Sequence, residues 1–142
     1  MKSSIISSVD KILIQRMIIM NRSDIGAQLK RSHNCCQAVL LAFEDKLPYD
    51  RDSLLMLGST FGSGMGGMMG TCGALVGAEM VLGILSKQTK GMNGNSRALF
   101  TEFEERCGAS RCIDLKGVLT GHMLCSCEDC VRYAVESVEK ML

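Results

Sequence analysis

Eight cysteines are the residues of this 142-residue chain most able to do chemistry. Thiolates act as nucleophiles, redox couples and ligands for soft metals. In a reducing compartment, a set this large favours metal binding or redox chemistry over a disulfide framework. Any one of them taken alone could still pack in the core like a small hydrophobic residue. The set comprises Cys35, Cys36, Cys72, Cys107, Cys112, Cys125, Cys127 and Cys130.

Cys72 stands where a loop rich in glycine and methionine meets a strongly apolar helix. Thr71 is predicted to be the N-cap, which makes Cys72 the first helical residue. The first N–H groups of a helix lack partners within it and carry positive potential, so they would lower the pKa of a thiol there. The apolar run continues to Leu85 with almost no polar face, and Gly73 and Gly77 would allow another backbone to approach. We expect this to be the buried central helix.

Three more cysteines stand at predicted helix starts, at Cys35, Cys112 and Cys127. Asn34 and Gln37 have the spacing of a capping box before one helix, and Ser126 and Asp129 approximate one before the last. If these helix ends meet the start of the central helix, four thiols face one another across a pocket of positive helix termini. Such a pocket suits thiolates, a bound metal or an iron–sulfur cluster.

The loop before Cys72 contains GSGMGG, residues 62–67, which matches the G-x-G-x-x-G pattern of dinucleotide sites. No strand precedes it and no acidic residue follows at the required distance, so a nucleotide role is disfavoured. We expect the glycines instead to line a cofactor site with main-chain atoms, which lets the helix starts approach Cys72. The glycines assigned to this role are Gly64, Gly66, Gly67 and Gly73. The loop methionines could suggest Cu(I), but flexible gap-filling is the better interpretation of Met65, Met68 and Met69.

The rest of the chain has helical patterning. We predict a helix over residues 8–30, with a possible break within 21–25, that packs on the core. Another helix, capped by Asp50, is predicted after Pro48. An amphipathic helix over 96–106 and a last helix from about 127 follow. No segment has the alternation of a strand, so the fold should be all-α. It is predicted to be one domain, 1–142, with five or six helices in a compact bundle.

The order and spacing of these segments resemble the family of small redox-active proteins named for the cysteine pattern C_GCAxxG_C_C. The similarity runs from about residue 25 to the end, through NCCQAVLLAF, FGSGMGG, CGALVGA, RCIDLKG and the final helix. By motif, the resemblance implies that the family's four cysteines correspond to Cys35, Cys72, Cys112 and Cys127. It also implies a redox function that is often compared with iron–sulfur modules. The other four cysteines are additions to that pattern.

The leading hypothesis is therefore a redox protein whose four convergent cysteines hold an iron–sulfur cluster or another metal for electron transfer. One alternative is a thiol–disulfide oxidoreductase using Cys72 and the Cys127/Cys130 pair, a C-x-x-C at a helix start. Another is a structural or interaction module stabilised by zinc, with ligands from Cys125, Cys127 and Cys130 plus Cys107 or Cys112. Attachment of a c-type haem is excluded at C-x-x-C, because valine follows it.

Composition narrows the classes of partner. The formal net charge is +1 with dispersed Lys and Arg, so no nucleic-acid face is indicated. The apolar N-terminal segment is interrupted by Asp10, Lys11 and Arg16, which leaves no stretch long enough to span a bilayer and no signal-peptide pattern. We expect a cytoplasmic protein with a redox partner yet to be identified, and the sequence is compatible with a homodimer.

Overall fold

The computed structural model describes the backbone of residues 7–142 and the side chains of that range outside 15–19. Within this part of the chain the secondary structure is helical, apart from one isolated bridge between Thr71 and Arg111. The helices are α1 (Ser8–Ile19), α2 (Arg22–Leu29), α3 (Cys35–Ala42), α4 (Arg51–Gly58), α5 (Gly73–Ser86), α6 (Asn93–Cys107), α7 (Cys112–Lys116) and α8 (Cys127–Glu139). The all-α prediction is confirmed for these residues.

The described residues form eight helices, where five or six were predicted. The predicted first helix divides at Asn21, whose side chain accepts a hydrogen bond from the Asp24 N–H and so begins α2 as a new helix. The short turn that starts at Cys112 forms α7, which adds one more element.

The first helix forms but does not pack as predicted. Its described apolar side chains Val9, Ile12, Leu13 and Ile14 are between 44% and 65% exposed. The expectation that this segment covers the core is wrong for these residues, because their apolar atoms stay in contact with solvent.

The core lies among α2, α3, α5, α6 and α8. Helix α5 packs on α3, α6 and α8, and it approaches α3 closely because Gly77 has no side chain. A Cβ atom at Gly77 would lie 3.0 Å from the carbonyl oxygen of Cys36. The largest side chains shielded completely from solvent include Phe43 and Phe103. This packing fixes the positions of the helix starts that carry the cysteines.

Side-chain caps define several of those starts. Asn34 and Gln37 make both hydrogen bonds of the predicted capping box, so α3 begins at Cys35. The Ser126 hydroxyl accepts from the Asp129 N–H and α8 begins at Cys127. Asp50 caps α4 in the same way, through the Ser53 N–H. These three predicted starts are confirmed.

A cavity lined by cysteines at helix starts

One cavity of about 180 Å³ brings together the four cysteines that the sequence singles out. Cys35, Cys112 and Cys127 are the first residues of α3, α7 and α8. Cys72 lies immediately before α5 as its N-cap residue. The other lining residues are Lys30, Asn34, Ser63, Gly64, Met68, Gly73, Leu115 and Lys116.

The start of α5 differs by one residue from the prediction. Thr71 does not cap the helix, because it is held in extended conformation by its bridge to Arg111. The Cys72 N–H donates to the Ser110 carbonyl at 2.7 Å and the Cys112 N–H donates to the Gly70 carbonyl at 3.1 Å. This short pairing places Cys72 and Cys112 side by side at the cavity, and the helical pattern of the sequence did not reveal it.

The glycine loop shapes the wall next to Cys112. Gly64 has φ +57°, and a Cβ atom there would lie 2.5 Å from the Cys112 Cβ. A Cβ atom at Gly73 would lie 2.5 Å from the Phe61 carbonyl oxygen and 3.4 Å from the Cys35 Cβ. Gly64 and Gly73 thus line the cavity.

The other two glycines assigned to that wall lie elsewhere. Gly66 and Gly67 are exposed, and a Cβ atom at either would meet nothing within 4 Å. The loop follows α4 rather than a strand, which does not match the strand–loop–helix context of a dinucleotide site. Met65 and Met69 are exposed, whereas Met68 lines the cavity.

The buried Cys72 sulfur is surrounded by hydrogen-bond donors. The thiols of Cys130 and Cys35 lower the Cys72 pKa most strongly, and the N–H groups of Ala74 and Leu75 at the start of α5 add to the effect. The two amides face the sulfur without making a regular side-chain cap. These donors outweigh burial, which opposes the charged form, so the Cys72 pKa is lowered and its thiolate is favoured.

Cys127 is the most accessible of the four cysteines, since the other three are buried. Its pKa is lowered to about 5, first by the Cys35 thiol and then by the Lys116 ammonium group. The Lys116 nitrogen is shielded from solvent and has no hydrogen bond of regular geometry, yet it faces this sulfur. Burial lowers the Lys116 pKa, but the nearby thiolates shift it upward overall. The cavity therefore holds a desolvated cation beside its thiols.

A second group of thiols lies beside this cavity. The Sγ atoms of Cys107, Cys125 and Cys130 are all within 4.8 Å of one another, and all three residues are buried. The Cys130 thiol is the group that lowers the Cys72 pKa most, so this second group is adjacent to the four-thiol cavity. We refer to Cys107, Cys125 and Cys130 as the inner triad.

The inner triad was only partly anticipated from the sequence. The sequence predicts a possible zinc site from Cys125, Cys127 and Cys130 with Cys107 or Cys112. The structure brings Cys125 and Cys130 together with Cys107, but it places Cys127 at the four-thiol cavity. Cys127 and Cys130 are three residues apart on the same side of α8, so the helix alone does not separate them. Only the positions of α3 and α6 show which neighbours each sulfur has.

The remaining candidates have ordinary structural surroundings. Cys36 is fully buried with its Sγ 4.0 Å from the Met80 sulfur, and burial raises its pKa to about 12. A ring nitrogen of His33 lies 3.1 Å from the Leu29 carbonyl oxygen, while His122 is exposed. Cys36 therefore packs as a small hydrophobic residue, and the structure does not bring the histidines to the thiols.

No helix in the described part of the chain has the length and apolar character needed to cross a bilayer. The chain has no match among the curated proteins or among the solved structures. One family model does match, over residues 33–141, and its description is "Putative redox-active protein (C_GCAxxG_C_C)". This match covers most of the chain, including all eight cysteines, and the chain therefore belongs to the C_GCAxxG_C_C family.

Proposed function

We propose that the protein is a redox-active electron-transfer protein in which Cys35, Cys72, Cys112 and Cys127 hold an iron–sulfur cluster or another metal. The observation that carries this proposal is that the four cysteines line one cavity although they come from four separate segments. The family match supports redox chemistry in general, and the thiol clusters support metal binding. The nature of the group and its role in electron transfer are our proposal.

The cavity fits a group larger than a single ion. The volume open to the centre of a water-sized sphere is about 180 Å³. By the same measure one water molecule needs only roughly 10–15 Å³. Cysteine thiolates are the usual ligands of iron–sulfur clusters. The side-chain-free positions Gly64 and Gly73 preserve the space between Cys112 and Cys35. Ligand type and space are thus compatible with a polynuclear centre.

An iron–sulfur cluster would supply one-electron redox chemistry. The protein residues would bind it, limit its contact with water and balance its charge. Lys116 and the amides of Ala74 and Leu75 direct positive charge at the thiolates, and positive surroundings favour a reduced, more negative site. Burial of Cys35, Cys72 and Cys112 keeps bulk water from most of the ligand set.

Anaerobic purification followed by visible spectroscopy and by iron, sulfide and zinc analysis tests this proposal. We expect a coloured protein whose iron and sulfide content falls strongly in the Cys35→Ser and Cys112→Ser variants. Cys36→Ser is the matched control, because Cys36 neighbours Cys35 but its sulfur contacts Met80. If the protein stays colourless and free of iron after anaerobic reconstitution with iron and sulfide, the iron–sulfur proposal is wrong.

Thiol–disulfide exchange is the second candidate, and the contacts of Cys35 favour it. The Cys35 pKa is raised first by the Cys127 thiol and then by the Cys72 thiol, and all three residues line one cavity. Cys127 is the accessible member and would be the attacking thiolate, with Cys35 as the resolving thiol. This pairing differs from the Cys127/Cys130 pair suggested by the sequence. Mild oxidation of the metal-free protein followed by peptide mapping should then find a Cys35–Cys127 disulfide, which a thiol reductant reverses.

A further inference from the structure

The inner triad is a set of potential metal ligands separate from the four cysteines matched to the family pattern. Cys107 ends α6, Cys125 belongs to the connector before α8, and Cys130 lies in the first turn of α8. The three side chains are buried, with Cys130 fully shielded. Their sulfurs converge although they come from three different elements.

The spacing of the triad sulfurs matches one metal ion rather than a cluster. A Zn–S bond of about 2.3 Å and tetrahedral angles place two thiolates of one zinc site roughly 3.8 Å apart. The triad sulfurs are all within 4.8 Å of one another, so a small inward movement would close them around one ion. The larger cavity next to them has room for more than one metal atom, which distinguishes the two sites.

The backbone around the triad is held by hydrogen bonds. The Leu115 carbonyl accepts from the N–H groups of Leu124 and Cys125, at 2.9 and 3.4 Å. The Cys130 sulfur lies 4.0 Å from the Cys125 carbonyl oxygen. These contacts keep the connector against α8 and α7, and they hold the Cys125 thiol where Cys130 and Cys107 can reach it.

We propose that Cys107, Cys125 and Cys130 bind a single thiophilic d¹⁰ cation, Zn²⁺ or Cu⁺, which joins the end of α6 to the start of α8. Three thiolates are a complete ligand set for trigonal Cu⁺, whereas structural Zn²⁺ needs a fourth ligand. A water molecule would complete the Zn²⁺ site, because Cys72 is assigned to the four-thiol cavity. The number of atoms bound to the metal thus reports which cation is present.

Metal titration of the full-length reduced protein tests this inference with the ions themselves. After removal of bound metal, the protein is titrated anaerobically with Co²⁺, Zn²⁺ or Cu⁺, without iron or sulfide. We expect one tight equivalent, with a thiolate-to-metal charge-transfer band for Co²⁺. X-ray absorption should show three sulfurs near 2.3 Å and one oxygen for Zn²⁺, or three sulfurs alone for Cu⁺.

Single variants locate the tight site. Cys107→Ser and Cys130→Ser should each weaken binding by more than the roughly 10–100-fold expected for loss of an outer-shell partner. Cys36→Ser, which removes a buried thiol outside both groups, should leave the affinity unchanged, and so should Cys127→Ser. Cys127 belongs to the four-thiol cavity and not to the inner triad. Its variant should therefore lose iron and sulfide if the iron–sulfur proposal is right, while it keeps the tight Zn²⁺ or Cu⁺ site if the present inference is right.

Three results would overturn the inference. The first is equal tight binding by the wild-type, Cys107→Ser and Cys130→Ser proteins. The second is loss of the tight equivalent in Cys127→Ser alone. The third comes from the wild-type protein without any variant: failure to bind one equivalent of Zn²⁺ or Cu⁺ tightly in the fully reduced state.

Discussion

The pair formed by Lys116 and Cys127 gives the four-thiol cavity its most reactive point. Cys127 is only partly buried, while the ammonium nitrogen that faces its sulfur is shielded from water. A cation without a regular hydrogen-bond partner is costly to bury, and a neighbouring thiolate offsets that cost. The two side chains therefore stabilise each other's charged forms, and each should lose this support when the other is changed.

Replacing Lys116 with Gln should raise the Cys127 pKa, because the change removes the cation that stabilises the thiolate. In the metal-free wild-type protein the Cys127 pKa is lowered to about 5, so the thiolate fraction is already nearly complete at pH 7. An opposite charge within about 4–6 Å shifts a pKa by roughly 1–3 units, so the variant profile should move upward by about that amount. The alkylation rate of Cys127, followed by mass spectrometry from pH 4 to 9, measures it.

Lys30→Gln provides the comparison for this experiment. Lys30 also lines the cavity and lowers the Cys127 pKa, but its influence is smaller than that of Lys116. An equal shift in both variants would mean that overall charge, rather than contact with Lys116, controls the thiol.

Gly64→Ala should disturb the cavity in two ways, by straining the backbone at residue 64 and by crowding the Cys112 side chain. Gly64 has φ +57°, and its new Cβ would lie 2.5 Å from the Cys112 Cβ. The left-handed conformation alone costs alanine about 1–2 kcal/mol, and the displaced Cys112 adds to the loss. Urea unfolding should show that destabilisation, and iron uptake should fall with it.

Gly67→Ala is the control because it lies in the same loop. A Cβ atom there meets no heavy atom within 4 Å, and its φ is not in the left-handed region. Destabilisation of both variants to the same extent would show that general loop flexibility, and not the approach to Cys112, requires the glycine.

Helix starts position the four thiols of the cavity. The α3 start was predictable because Asn34 and Gln37 carry a local signature that is independent of the rest of the fold. The α5 start was displaced by one residue because a non-local partner, Arg111, holds Thr71 extended. A helix cap can be predicted from neighbouring residues in the sequence. A bridge between residues forty positions apart depends on tertiary packing and cannot be predicted in this way.

Asn34→Ala should destabilise the protein by about 0.5–2 kcal/mol, the usual cost of losing a polar N-cap. The Asn34 side chain accepts from the Gln37 N–H and donates to the Gly58 carbonyl, so it also ties α3 to α4. Asn34→Asp keeps the acceptor and loses the donor, and it should retain most of the stability. Urea unfolding of the three proteins separates the two contributions. If alanine and aspartate are equally destabilising, the cap is not the dominant contact.

At the scale of the whole molecule, helical periodicity predicted the class of fold and most of the elements. It could not predict how the helices pack, because a pattern of apolar residues shows which face of a helix is buried but not which other helix covers that face. The inner triad shows this limit, since Cys107 lies on a different helix from Cys130 and becomes its neighbour only through packing of α6 on α8. The first helix shows the opposite error, because the prediction that it packs on the core does not hold for its described apolar side chains, which are exposed.

Removing residues 1–20 should change the melting temperature by no more than about 2 °C. The described apolar side chains of α1 are exposed, and changes at exposed positions are usually worth within about 0.5 kcal/mol. The next helix has its own cap at Asn21 and needs no preceding turn. Thermal unfolding by circular dichroism measures the difference. A fall of more than about 5 °C would show that α1 contributes to the folded state, and sedimentation of both proteins would show whether it does so by joining two copies.

The position of α8 has a consequence for the order of events during synthesis. The last helix supplies Cys127 to the four-thiol cavity and Cys130 to the inner triad, so neither group is complete while the ribosome is still making it. The six preceding cysteines are synthesised first. If the two groups bind metal as proposed, those six thiols must stay reduced and unpaired until α8 has been made, and the supply of reductant during translation should limit how much of the protein acquires metal.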